Sequence, residues 1–163
     1  QQFRQQPEFV GVRWTPVDFL HLTLAFLGNQ PLFRLEALQL QLESQLVDVS
    51  EFALQLERCA GFPDARSRIV AAIPMLSPAL QMLQHRVTLA VQAAGMAVES
   101  RPWRPHITLG RLGGEASLPP LTQVFTADGP VRAVSLYRSD LLPEGSHYTV
   151  IRRWALHEST AGR

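Results

Sequence analysis

The chain has 163 residues, 46% of them hydrophobic and 18% charged, with a net charge of +1, which bounds it as one globular domain with a buried core rather than a disordered tail. No apolar run approaches the roughly 20 residues of a membrane span, residues 1–7 lack a secretory pattern, and the lone Cys59 excludes a disulfide framework or a CxxC zinc site, so a cytoplasmic monomer is expected. All fifteen basic residues are arginine; the lack of lysine excludes Schiff-base chemistry, a Walker-type phosphate loop and a lysyl-adenylate, while arginine's planar fork permits a phosphate ligand.

Leu20–Leu27 (LHLTLAFL) reads as a strand closed by Gly28, Asn29 and Pro31. From Leu32 to Val47, Leu35, Leu38, Leu42 and Leu46 recur at steps of three and four, which predicts an amphipathic helix. Phe52, Leu54 and Leu56 alternate with Ala53, Gln55 and Glu57 as in a half-buried strand, and Arg68–Ile73 (RIVAAI) reads as a short buried one. A second helix follows Ser77-Pro78, a cap and a first-turn proline; its apolar face is Leu80, Leu83, Val87, Val91 and Ala94, and Gly95 ends it. Arg104–Leu112 (RPHITLGRL) is a further strand. Val131–Leu142 and His147–Leu156 form a predicted hairpin around residues 143–146. Helix and strand in similar measure, with hairpin-like connections, predict an α+β fold with largely antiparallel sheets, not a doubly wound parallel one.

Two strands carry the same start: His21-Leu22-Thr23-Leu24 and His106-Ile107-Thr108-Leu109. Residues two apart on a strand share a face, so each motif presents an imidazole beside a hydroxyl, anchored by aliphatic side chains on the opposite face. In-line displacement at phosphorus needs one group to activate the nucleophile and another to protonate the leaving oxygen. Paired histidines do this near neutral pH, and threonine hydroxyls can hold the non-bridging oxygens. His-x-Thr alone is weak evidence, since His147-Tyr148-Thr149 is a third copy, placed after a turn. Spacing alone leaves both a catalytic pair and two structural histidines open.

The paired motifs, with RWTPVDFLHLTLAFLG, RPHITLGRL and HYTVIRRWAL, resemble the two-histidine (2H) phosphoesterase superfamily and its bacterial RNA 2′,3′-cyclic phosphodiesterase branch, the LigT or 2′-5′ RNA ligase family, from about Arg13 to Leu156. The resemblance implies a bilobal, pseudo-twofold fold with outer helices and an active site in the cleft between lobes. It implies His21 and His106 as catalytic, Thr23, Thr108 and Arg111 as phosphate-binding, and Phe26 and Tyr148 as contacts to the nucleotide. Hydrolysis would give a 2′-phosphate, with His106 activating water and His21 protonating the 3′-oxygen; an RNA 5′-hydroxyl in place of water would give ATP-independent 2′-5′ ligation. The expected partner is RNA ending in a cyclic phosphate, with no cofactor, metal or membrane. A non-catalytic RNA-end binding module is the rival reading. A histidine metal site is poorer, because neither motif has ligand spacing.

Two departures accompany the resemblance. Relatives usually begin with a strand and helix before the first motif, and this chain starts too late to contain them, within what is otherwise a single domain, 1–163, of two intertwined lobes. Simple alternation also puts Phe26 and Arg111 on the core face, opposite their histidines; a bulge near Gly110 would re-aim Arg111, while Phe26 reads equally as core or as site. Trp103 and Trp154 read as packing anchors, Cys59 as a small packing residue, and His85 and His157 as lacking a catalytic context.

Overall fold

The computed structural model describes residues 9–64, 66–113, 124–142 and 145–158. In chain order the elements are β1 (Val12–Trp14), α1 (Leu32–Leu46), β2 (Phe52–Phe62), β3 (Ile69–Pro74), α2 (Pro78–Ala93), β4 (Ile107–Leu112), β5 (Val124–Val131), β6 (Ala133–Leu142) and β7 (Gly145–Ala155). The fold is α+β. β1 to β5 form one sheet in the order β1-β4-β3-β2-β5, and β6 and β7 form a second. β4 runs antiparallel to β1 and β3, β2 antiparallel to β3, and β6 antiparallel to β7.

The chain divides into two compact units: Gln1–Thr23, Gln55–Leu76 and Trp103–Asp128 in the first, and Leu24–Leu54, Ser77–Pro102 and Gly129–Arg163 in the second. The second unit has the larger core, in which Leu38, Leu42 and Leu46 of α1 meet Leu83, Val87, Ala90 and Val91 of α2 beside Val134, Leu136, Trp154 and Leu156. The helices form where expected because their apolar residues fall on one stripe and their ends are marked. Ser77 accepts a hydrogen bond from the Leu80 amide at 3.2 Å. At the other end Gly95 takes a positive φ of 71°, its amide bonding Gln92 at 2.9 Å and that of Met96 bonding Val91 at 3.1 Å. This is the Schellman pattern, which a side chain at Gly95 would strain. Met96 and Val91 meet in the same core.

The first unit is built on the sheet. One face packs Phe9, Val12, Cys59, Val70 and Leu112 into a small core joined by Trp14 and Leu109. Cys59 is buried, and desolvation pushes its thiol up to about 11.

Several elements differ from expectation: β1 is a strand that the sequence pattern does not mark, and β4 begins at Ile107 rather than Arg104. Leu20–Leu27 is not a strand: its ladder consists of a single antiparallel bridge, Leu22 to Ile107, and a bend follows at Leu24. Leu24, Ala25 and Leu27 then pack on the second core while Phe26 is 69% exposed, so the alternation that put Phe26 in the core breaks down. β2 continues to Phe62 past a register shift between Leu56 and Arg58. β5 went unread because Asp128-Gly129-Pro130 is turn chemistry; it lies at the sheet edge, where proline is tolerated. The β6–β7 pairing begins at Leu142 with Gly145, tighter than the four-residue connection expected, and residues 143 and 144 lie outside the described set.

Candidate active site

Both His-x-Thr motifs fall in the first unit, although the sequence places them in different halves of the chain. The bridge between Leu22 and Ile107 brings them together. Its antiparallel register sets His21 across from Thr108 and Thr23 across from His106, and directly opposed residues share a face.

Each imidazole is tethered in the same way. Nδ1 of His21 lies 2.8 Å from the Phe19 carbonyl, and Nδ1 of His106 lies 3.0 Å from that of Arg104, in both cases two residues earlier. A carbonyl only accepts, so each Nδ1 carries the proton. Both rings are half-buried. The 3₁₀ turn Val17–Phe19 precedes His21 and includes the Phe19 carbonyl.

Three further contacts hold the motifs. The Trp103 indole donates to the Thr23 carbonyl at 2.9 Å, tying the approach to β4 to the first motif; a residue read as a packing anchor is thus also a strut. The Phe62 ring stacks on the His106 imidazole, with centroids 3.6 Å apart and planes at 17°. Arg104 donates to the Pro63 carbonyl at 2.5 Å and places its guanidinium carbon 5.0 Å from the Phe62 centroid. Sequence reasoning missed Phe62 and Arg104. Arg104 adjoins the second motif and offered a signal; Phe62 lies far from either motif and offered none.

β4 bulges at Leu109. Ala71 pairs with Thr108 and Val70 with Gly110, so one residue of β3 step spans two of β4. Leu109 turns to the small core, and Arg111, paired with Ile69, arrives on the same face as Thr108. The bulge expected near Gly110 sits one residue before it, and Arg111 is exposed on the side of the motifs' polar groups. Gly110 meets a separate need: a Cβ there would lie 2.7 Å from Val12 Cγ1 and 2.8 Å from the Arg13 carbonyl.

Phe26 and Tyr148 belong to the second unit, where Tyr148 packs edge-on against Tyr137 with centroids 6.2 Å apart. His147 stands in β7 opposite Asp140, within the strand expected from His147 onward. His157 contacts the Val47 carbonyl through Nε2, and its backbone pairs with Val49 and Glu51, a structural role. His85 is exposed on α2. Among the described residues no group of three or more His, Cys, Asp or Glu is placed to hold a metal, and no helix is long and apolar enough to cross a membrane.

A family model described as the 2′-5′ RNA ligase superfamily matches residues 3–142. The chain belongs to the 2′-5′ RNA ligase superfamily. An RNA 2′,3′-cyclic phosphodiesterase of Escherichia coli (strain K12) is 36% identical over 142 residues, covering 85% of this chain and 77% of that protein. One of Bacillus subtilis (strain 168) is 30% identical over 113 residues, 68% of this chain and 61% of the relative's length. A crystal structure of E. coli LigT complexed with 3′-AMP superposes with a TM-score of 0.72 at 31% identity, covering 95% of this chain and 87% of that one. In this superfamily member the paired His-x-Thr motifs fall in one unit and are joined at the Leu22–Ile107 bridge.

Proposed function

We propose that this chain is a metal-independent RNA 2′,3′-cyclic phosphodiesterase that opens a terminal cyclic phosphate to a 2′-phosphomonoester. The observation that carries the reading is the interlocked pair, His21 across from Thr108 and Thr23 across from His106, in a chain whose curated relatives bear that activity. His106 Nε2 takes a proton from water, whose oxygen attacks phosphorus. The P–O3′ bond breaks, and His21 returns a proton to the departing 3′-oxygen, leaving the phosphate on O2′. Thr23, Thr108 and Arg111 hold the non-bridging oxygens as negative charge builds there, and Phe26 and Tyr148 contact the terminal nucleotide. The two tethers are alike, so the choice of base and acid rests on the family resemblance. Substituting an RNA 5′-hydroxyl for water runs the same proton transfers toward a 2′-5′ linkage without ATP.

Turnover of a nucleoside 2′,3′-cyclic phosphate after exhaustive chelation tests this. The expected result is hydrolysis to the 2′-phosphate, unaffected by chelator and bell-shaped in pH, because one histidine must start neutral and the other protonated. Binding of RNA ends without turnover would favour the module reading, and activity lost to chelator and restored by a divalent ion would contradict the mechanism.

A further inference from the structure

Arg13 of β1 lies directly across from Arg111 of β4, and Arg111 is across from Ile69 and on the face of Thr108. Directly opposed residues share a face, and like charges in that position are destabilising. Both arginines are exposed, and among the described residues neither has an ion-pair partner, whereas the neighbouring Arg68 is engaged on the Leu112 carbonyl at 3.1 and 3.2 Å. The contrast with the rest of the molecule is sharp. Ion pairs Arg86–Asp48, Arg101–Glu99, Arg132–Glu51, Arg138–Asp140 and Arg152–Glu43 all lie in the second unit, and the first has Arg58–Glu57. Among the described residues, the first unit thus has one ion pair where the second has five.

We infer that Arg13 is a second anion-binding residue, which takes the phosphodiester adjoining the terminal cyclic phosphate of a single-stranded RNA. The inference rests on the cyclic-phosphate reading. Arg111 is two ladder rungs from Thr108, roughly 7 Å along the strand, and Arg13 is one strand further, roughly 5 Å across. That offset exceeds the size of one phosphate group, whose oxygens Thr23, Thr108 and Arg111 already serve. It matches a second anion along a chain that carries one charge per nucleotide. An exposed guanidinium fork suits a diester's two non-bridging oxygens, and a bound anion would offset the Arg13–Arg111 repulsion.

The test compares a nucleoside 2′,3′-cyclic phosphate, which has no adjoining diester, with a dinucleotide ending in one. In Arg13→Gln the dinucleotide-to-mononucleotide ratio of kcat/KM should fall about tenfold, the loss of one charge-assisted contact, while Arg13→Lys should retain most of it. Removing the like charge should leave Tm unchanged or raised, which separates binding from a folding defect. Binding of a short oligonucleotide ending in a 2′-phosphate gives an arm independent of turnover: the slope of log affinity against log salt should shrink by about 0.7 in Arg13→Gln. Equal losses on both substrates, or an unchanged ratio, would overturn the assignment. If the wild-type chain turns over neither substrate, the cyclic-phosphate reading fails and the binding arm still decides: an unchanged slope, or no oligonucleotide binding at all, overturns Arg13.

Discussion

His106 is constrained in two directions at once, by the carbonyl of Arg104 at Nδ1 and by the Phe62 ring against its face. In the proposed mechanism the hydrogen bond sets which nitrogen works, and the stack sets the plane in which it works. Phe62→Leu keeps the apolar bulk and removes the ring; an aromatic pair is worth about 0.5–1.5 kcal/mol beyond burial, so kcat should fall roughly two- to tenfold with a smaller change in KM, and Phe62→Tyr should restore it. Equal kcat in all three proteins would show the stack to be incidental. His147→Ala should keep turnover, because His147 stands in β7 opposite Asp140, outside the two His-x-Thr-Leu motifs. At this scale the sequence was legible where chemistry repeats itself. Two copies of His-x-Thr-Leu named four residues, and the Leu22–Ile107 bridge joins the two copies. Phe62 was not legible, because its role depends on a tertiary contact with no local signature.

At the scale of elements, β4 shows where simple periodicity stops. Alternation alone would send Arg111 into the core, and the extra residue at Leu109 reverses that. β1 can then approach β4 closely because residue 110 has no side chain. Gly110→Ala should therefore destabilise the protein by about 1–3 kcal/mol, as overpacking does, measured by denaturant unfolding; stability equal to wild type would mean that β1 yields freely. In β2, burial pushes the Cys59 thiol up from its ordinary value of 9.0 to about 11. The folded state then holds its proton where the unfolded chain has lost it, so this contribution to stability is complete below about pH 9 and is lost as pH rises toward about 11. Cys59→Ala should flatten the fall in stability over that window, and an identical fall in both proteins would refute the assignment. The helices were legible because their stripes and caps are local. The Leu20–Leu27 strand was misread because alternation continues in sequence across the bend at Leu24, after which Leu24, Ala25 and Leu27 pack on a different core from the one Val12 joins.

For the molecule as a whole, the α+β class and antiparallel pairing followed from the mix of elements. The grouping of both motifs in one unit did not, since it depends on a bridge between residues in different halves of the sequence. The account makes that grouping catalytic: two imidazoles with like tethers, one giving a proton while the other takes one. His21→Ala and His106→Ala, each assayed for hydrolysis of a nucleoside 2′,3′-cyclic phosphate, test it most directly. Each single variant should lose about 10²–10⁴-fold in kcat, and the double variant should be little worse than the poorer single one, because the two act as a unit. Turnover close to wild type in either single variant would contradict the account.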